Sequence, residues 1–220
     1  MIRMMRKQES NPEKFIGYFK LTEFFPKKGC PICSKNHESA YNYLDNLFYE
    51  NVNDSEVREI LINSFGFCKE HSQLLLQIGD SLGTAIIYAD LLVHFEQTLD
   101  QNKLNNFSNR NGCNVCNLIA EETKNYIQIF LAFHTDKEFR NEFYKSDGLC
   151  ATHLVQLLKN CQSVEQKTFY LSFHKKKIEL LKNKLGELIR KNDYRFKAEK
   201  ITESEGKSWT DAVNYLNNFK

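Results

Sequence analysis

The sequence predicts an all-α fold: duplicated, metal-stapled helical units followed by a long C-terminal helix and a short capping helix. Three observations predict it. The 220 residues include only nine Gly and three Pro, strand-like runs of alternating Val, Ile and Thr are nearly absent, and Leu, Lys, Glu and Asn recur at helical period. A four-ligand pattern occurs twice, Cys30-x-x-Cys33 with Cys68-x-x-His71 and then Cys113-x-x-Cys116 with Cys150-x-x-His153, using every cysteine but Cys161. The residues between the ligands correspond as well. At an offset of 83, Cys30, Cys33 and Tyr43 map onto Cys113, Cys116 and Tyr126. After the loss of one residue, at an offset of 82, Asp54, Glu56 and Arg58 map onto Asp136, Glu138 and Arg140, and Gly66-Phe67-Cys68 maps onto Gly148-Leu149-Cys150. A whole fold element is therefore repeated.

Turn signals divide the chain into residues 1–28 (an N-terminal amphipathic segment), 29–105 and 106–160 (the two repeats) and 161–220 (a long basic helix and a tail helix). The first segment is expected to be helical from about Pro12, to carry Phe15, Tyr18, Phe19 and Phe25, to stop at Pro26 and to pack across the first repeat. Ala40, Tyr43, Leu44 and Leu47 lie at helical spacing, and Asn53 or Asp54 can cap a second helix through Val57, Ile60 and Leu61 to Gly66. Cys68 and His71 open a third helix. Asp80-Ser81 caps a longer one with Leu82, Ile86, Ala89, Leu92 and Phe95, which fades in polar residues 102–111, the boundary between the repeats. The second repeat follows the same plan and runs into a lysine-rich helix whose buried stripe is expected to hold Phe169, Phe173, Leu180, Leu181, Leu185 and Leu188. Ser208-x-x-Asp211 resembles a capping box opening the last helix, with Trp209, Val213 and Leu216.

The ligand residues Cys30, Cys33, Cys68, His71, Cys113, Cys116, Cys150 and His153 point to two bound metal ions. Two cysteines two residues apart can turn both sulfurs to one side of a tight knuckle, and Cys and His at i and i+3 of a helix face one way, so each pair supplies half a tetrahedron. A full Cys3His shell is that of a structural zinc, whose binding is coupled to folding. Two Zn2+ are expected, with iron–sulfur clusters as the alternative and disulfides as the bland reading. The half-sites can join within each repeat or be exchanged between repeats. Loop closure over a two-helix excursion favours the within-repeat arrangement.

Composition bounds the rest. No apolar run reaches the roughly 20 residues a bilayer requires, and Arg3, Arg6 and Lys7 are not followed by the apolar segment of a secretory signal. A cytoplasmic setting follows, in which paired cysteines are ligands before they are disulfides. Residues 174–200 hold ten Lys or Arg against four Asp or Glu in a chain of formal net charge +2. This basic helix admits a nucleic-acid partner, although ion pairs on a solvated face, such as Glu187 with Lys191, explain it as well. No phosphate loop, nucleophile elbow or His-Glu-x-x-His helix is present, and both shells are full, so catalysis is not expected. Cys161 reads as a small buried apolar residue, and His37, His94, His134 and His174 as surface or hydrogen-bonded histidines. Trp209 either anchors the tail or forms a recognition surface with Tyr194, Arg195 and Glu205.

Gly29-Cys30-Pro31-Ile32-Cys33, Tyr43-Leu44, Asn53-Asp54-Ser55-Glu56-Val57-Arg58, Gly66-Phe67-Cys68-x-x-His71, Ser146-Asp147-Gly148-Leu149-Cys150-x-x-His153 and the closing Lys191-x-Asp193-Tyr194-Arg195-Phe196 through Ser208-Trp209 together resemble the DUF6062 family of prokaryotic proteins. The resemblance covers nearly the whole chain apart from the first ten residues. It implies a shared fold and shared metal sites and no activity. The reading that joins these observations is a non-enzymatic, zinc-binding helical scaffold for a protein partner. An iron–sulfur redox protein and a nucleic-acid-binding protein are the alternatives.

Overall fold

The computed structural model of the protein describes residues 13–100, 107 and 112–217. Among them are eleven α-helices and no strand. In chain order these are α1 (Ile16–Thr22), α2 (Pro31–Asn46), α3 (Ser55–Asn63), α4 (Lys69–Ile78), α5 (Ser81–Asp100), α6 (Asn114–Phe133), α7 (Lys137–Lys145), α8 (Ala151–Asn160), α9 (Val164–Lys191), α10 (Glu203–Gly206) and α11 (Ser208–Asn217). A π-helical turn at Leu47–Asn51 extends α2, and a 3-10 turn at Tyr194–Phe196 follows α9. Pro12 and, except for Phe107, the expected boundary at 102–111 lie outside the described residues.

The helix starts are written in short polar side chains. Asp54 Oδ1 accepts from the N–H groups of Glu56 and Val57 at 2.8 and 3.0 Å, and its repeat counterpart Asp136 accepts from Phe139 N–H at 2.8 Å. Asp80 accepts from Gly83 N–H at 2.8 Å, and Ser163 with Gln166 forms a reciprocal capping box on α9. The box expected at Ser208 sits instead at Thr202 and Glu205, where it opens α10. Ser208 is the first residue of α11 rather than its cap, and its Oγ donates backwards to Glu205 O at 2.6 Å.

The chain forms two compact units, and these do not follow the linear division at 29–105 and 106–160. Unit 1 comprises the chain up to Lys35 and from Lys124 onward, and unit 2 runs from Asn36 to Thr123. The boundaries fall inside α2 and α6, so each of these helices opens in one unit and ends in the other.

Unit 1 is built on aromatic packing. Phe143 is fully buried and lies 5.4–5.8 Å, between ring centroids, from Phe25, Phe130 and Tyr170, and 4.5 Å from Phe173. Tyr170 Oη donates to Phe130 O at 2.6 Å, which satisfies the one polar atom of that ring. Helix α1 contributes Tyr18 and Leu21 and is followed by buried Phe24 and Phe25, while Phe15 and Phe19 remain over half exposed. The expectation that it packs across the first repeat is corrected: Tyr18 and Phe25 lie against Phe133 and Phe139 of the second repeat, at 4.6 and 5.3 Å. The chain from Glu23 to Gly29 turns without a helix, so α1 is tied to the unit that holds the opening of α2. Along α9 the buried stripe is Gln166, Phe169, Tyr170, Phe173 and His174. Leu180, expected in that stripe, is exposed, and beyond His174 the helix buries no residue fully.

Unit 2 has a smaller, aliphatic core of Ala40, Leu44, Leu47, Phe48, Leu61, Phe67, Leu75, Ile87 and Leu91. The buried face of α5 is Gly83, Ile87, Leu91 and Thr98, and none of the expected Leu82, Ile86, Ala89, Leu92 and Phe95 is buried. Gly83 decides the register, because a Cβ there would lie 2.5 Å from the Phe48 ring and 3.1 Å from Asp80. Only a glycine lets α5 lie this close.

Gly66 and Gly148 occupy equivalent places before the two Cys-x-x-His helices, with φ +81° and +82°. Besides the left-handed backbone, a Cβ on Gly148 would sit 2.7 Å from Phe173 and 3.0 Å from His174. Gly148→Ala is therefore expected to destabilise unit 1 by about 1–3 kcal/mol from backbone strain alone, with more from the clash. The shift in urea midpoint measures it.

Candidate metal centres

Each of the four half-sites opens a helix. Cys68 and Cys150 are the N-cap residues of α4 and α8, with extended backbone and no side-chain capping bond. The carbonyls of Cys30 and Cys113 accept the first bonds of α2 and α6, from Ser34 and Asn117 N–H, both at 3.0 Å. The Cys-x-x-Cys pairs are therefore built like the Cys-x-x-His pairs: one ligand on the N-cap and the other three residues on, in the first turn. Every half-site directs the positive end of a helix toward its thiols, which stabilises sulfur in its anionic, metal-binding form.

The half-sites meet in exchanged order. Cys30 and Cys33 gather with Cys150 and His153 in unit 1, and Cys68 and His71 gather with Cys113 and Cys116 in unit 2. This corrects the within-repeat pairing. Helix α2 has 16 residues, so it carries the chain about 24 Å from Cys30, and the nine residues of α3 bring it back only about 14 Å even if fully antiparallel. A loop-closure estimate treats this excursion as flexible, whereas two stiff helices hold Cys68 away from Cys30.

All four ligand atoms of each group lie within 4.8 Å of one another. In unit 1, His153 Nδ1 is 3.5 Å from Cys30 Sγ, 3.2 Å from Cys33 Sγ and 3.3 Å from Cys150 Sγ, and Cys33 Sγ is 3.6 Å from Cys150 Sγ. In unit 2, His71 Nδ1 is 3.1, 3.5 and 3.4 Å from the sulfurs of Cys68, Cys113 and Cys116, and Cys68 Sγ is 3.6 Å from Cys116 Sγ. A tetrahedral ion with Zn–S about 2.3 Å and Zn–N about 2.0–2.1 Å places its ligands about 3.8 Å (S–S) and 3.6 Å (S–N) apart. The observed edges match that size to within about half an ångström, and the sulfurs are too far apart for disulfides, which need about 2.05 Å.

Crowding sets the charge that the unit 1 sulfurs can carry. Burial, and after it the neighbouring Cys150, push the Cys30 thiol up to about 12. The Cys33 thiol is driven far up, first by its contacts with Cys150 and Cys30 and then by burial. Cys150, which receives the Cys30 and Cys33 thiols as donors, is driven far down. One negative charge is thus tolerated and the next two are opposed, the condition that a divalent cation relieves by displacing the remaining protons.

The two groups differ in surroundings. In unit 1, Cys30, Cys150 and His153 are buried and belong to, or border, the aromatic core. Asp147, just before the Gly148 turn, accepts from Gly29 N–H at 2.8 Å and so ties the two half-sites together through the backbone. In unit 2, His71 and Cys113 are buried, Cys68 is half-buried and Cys116 is exposed.

His174, read from sequence as an ordinary histidine, is buried beside the unit 1 group. Leu149 N–H donates to its Nε2 at 3.4 Å, so Nδ1 carries the proton and can donate to Tyr215 Oη at 3.3 Å. Its structural counterpart in unit 2 is Leu91, the side chain that faces Gly66 as His174 faces Gly148, and it lies one residue off the offset of 82 that relates the two glycines, so the repeat register did not reveal it. Burial pushes His174 down from 6.5 to about 4. It is neutral in the folded chain and protonates more readily unfolded, so its contribution is complete above about pH 6.5 and is lost as pH falls toward 4. The loss amounts to about 2 kcal/mol by pH 5. His174→Gln keeps an acceptor for Leu149 N–H without the titration. Urea midpoints at pH 7 and 5 are expected to fall further for the native chain than for this variant.

Fold and site together define a class: a duplicated helical protein with two Cys3His groups able to hold metal ions. Comparison gives the family. It belongs to the DUF6062 family, described as a family of unknown function, whose model matches residues 16–218. It is also 30% identical over 201 residues, covering 89% of this chain and 98% of the relative, to an "Uncharacterized 23.9 kDa protein in xynA 3'region" from Caldicellulosiruptor sp. (strain Rt8B.4). No solved structure matches.

Proposed function

We propose that the protein is a cytoplasmic helical scaffold in which two structural Zn2+ ions, each held by a Cys3His shell, fix the helices that present a surface to a protein partner. The observation that carries this reading is the gathering of eight side chains into two groups of single-ion size. With three sulfurs and one imidazole nitrogen per ion, the protein fills a tetrahedron and keeps no ligand position for an activated water, as in structural rather than catalytic zinc sites. The same compactness argues against an iron–sulfur cluster, whose ligands bind different irons across a multi-atom cage. Among the described residues no helix is long and apolar enough to cross a membrane.

The partner surface is best supported at the C-terminal end of unit 1. Trp209 does not anchor the tail: it is 59% exposed, and Tyr194 is 84% exposed. The tail is held by other groups, with Ser208 fully buried and Lys191 Nζ bonded at 2.8 Å to Glu205 in an ion pair of low exposure. Glu205 therefore serves the fold, and Arg195 pairs with Asp193 at 2.7 Å, which leaves Trp209 and Tyr194 as the anchors of a recognition surface. The basic helix gives less support to a nucleic-acid reading. Arg190 is bracketed by Glu187 and Glu199, and Lys177 donates to Ser146 O.

Elemental analysis of purified protein tests the metal: two zinc equivalents in a colourless sample are expected, and iron with visible absorption overturns zinc. Co-purification from the native host tests the scaffold. A protein that accompanies the native chain and is lost with Trp209→Ala supports it, whereas recovery of nucleic acid, released by salt, favours the basic helix.

A further inference from the structure

The geometry points to a second property of the unit 2 group: we propose that it is an oxidant-sensitive site, in which peroxide joins Cys68 to Cys116 and expels the ion, while the unit 1 group resists. The inference rests on the zinc reading above. Its basis is an asymmetry between two groups built on the same plan. In each, one cysteine from the Cys-x-x-Cys pair lies 3.6 Å, sulfur to sulfur, from the cysteine of the Cys-x-x-His pair: Cys33 with Cys150 in unit 1, and Cys116 with Cys68 in unit 2. In unit 1, Cys33 is half-buried, and its partner Cys150 is 3% exposed and belongs to the aromatic core. In unit 2, Cys116 is exposed and Cys68 half-buried. Attack of a metal-bound thiolate on peroxide needs the oxidant within contact distance of sulfur, and susceptibility follows thiolate character and access. The two groups share the first and differ in the second.

The chemistry balances with hydrogen peroxide as the two-electron oxidant. Cys116 thiolate attacks one peroxide oxygen, the O–O bond breaks, and with one proton the products are the Cys116 sulfenic acid and water. Cys68 thiolate then attacks the sulfenic sulfur, a second proton leaves with the hydroxyl as water, and the Cys68–Cys116 bond forms. Zinc stays divalent throughout, loses two of its four ligands and departs. Closing the pair requires the sulfurs to move from 3.6 Å to about 2.05 Å. Both lie in the first turns of α4 and α6, so the shift is local. A thiol reductant with added zinc reverses it. His71 and Cys113 stay in the protein, so the oxidised state loosens the unit 2 staple and leaves the unit 1 staple closed.

The test uses the full chain. Its zinc content is measured first; hydrogen peroxide is then titrated in, released zinc is read with a chromophoric chelator, and cysteines are mapped by alkylation and peptide mass spectrometry. The expected result is loss of one of the two zinc ions together with a Cys68–Cys116 disulfide, while Cys30, Cys33 and Cys150 remain alkylatable after unfolding, and recovery of that zinc on reduction. Release of both ions together, prior release from unit 1, or a disulfide between other cysteines overturns the inference and leaves the zinc reading standing. Fewer than two zinc ions before peroxide is added overturns the zinc reading and the inference with it.

Discussion

Stripping the metal with a strong chelator is expected to unfold unit 2 and to loosen unit 1, the largest effect predicted for this protein. Structural zinc supplies on the order of 10 kcal/mol of folding free energy in small domains, comparable with the whole stability of about 5–15 kcal/mol of a typical one. The two units differ in what remains. Among the described residues, the buried cluster of unit 1 holds twenty side chains rich in Phe and Tyr, against twelve mostly aliphatic ones in unit 2. Unit 2 is thus closer to a domain too small to stand on its core alone. Hydrogen exchange after chelation reads this directly: amides of α3 to α5 should lose protection entirely, and those of α9 only in part. Cys68→Ser should reproduce the loss in unit 2 without touching unit 1. If chelation removes two ions and exchange is unchanged in both units, the ions are passengers and not staples.

Phe143→Ala carries the second-largest expected effect. The ring is fully buried, and rings of Phe25, Phe130, Phe139, Phe169, Tyr170 and Phe173 surround it at 4.5–6.5 Å. Truncation in such a rigid aromatic setting leaves a cavity that its neighbours cannot fill, and costs about 3–5 kcal/mol. The consequence reaches the metal group, because Phe173 and His174, which pack beside Phe143, are the side chains against which the Gly148 turn is set. A lower melting temperature and weaker retention of the unit 1 ion should therefore appear together. A stability loss below about 1 kcal/mol would mean that the cluster is less tightly packed than its geometry indicates.

Much of this was legible in the sequence, for identifiable reasons. The membership of the two Cys3His groupings was legible because Cys and His at a fixed spacing of three are rare by chance and the pattern occurs twice. Caps such as Asp54, Asp80 and Asp136 were legible because a short carboxylate before an apolar period has few other uses. Ligand pairing was not, because spacing records contour length and not direction, and the stiffness of α2 sets direction. The buried face of α5 was hidden by apolar residues all around the helix: Leu82, Leu92, Val93 and Leu99 are exposed while Ile87 and Leu91 are buried, so periodicity could not choose a face and Gly83 did. The roles of His174 and Trp209 were inverted relative to habit. The polar ring is inside, holding Leu149 and Tyr215, and the large apolar one is outside.

Metal content of paired variants tests the exchanged sites most directly. Cys30→Ser and Cys150→Ser are each expected to bind one zinc ion instead of two, and the double variant still one, because both residues belong to the same group. Cys30→Ser combined with Cys68→Ser should bind none, since each change opens a different shell. The opposite outcome, one ion retained by the Cys30/Cys68 pair and none by the Cys30/Cys150 pair, would show that each repeat closes on itself and would contradict the architecture described.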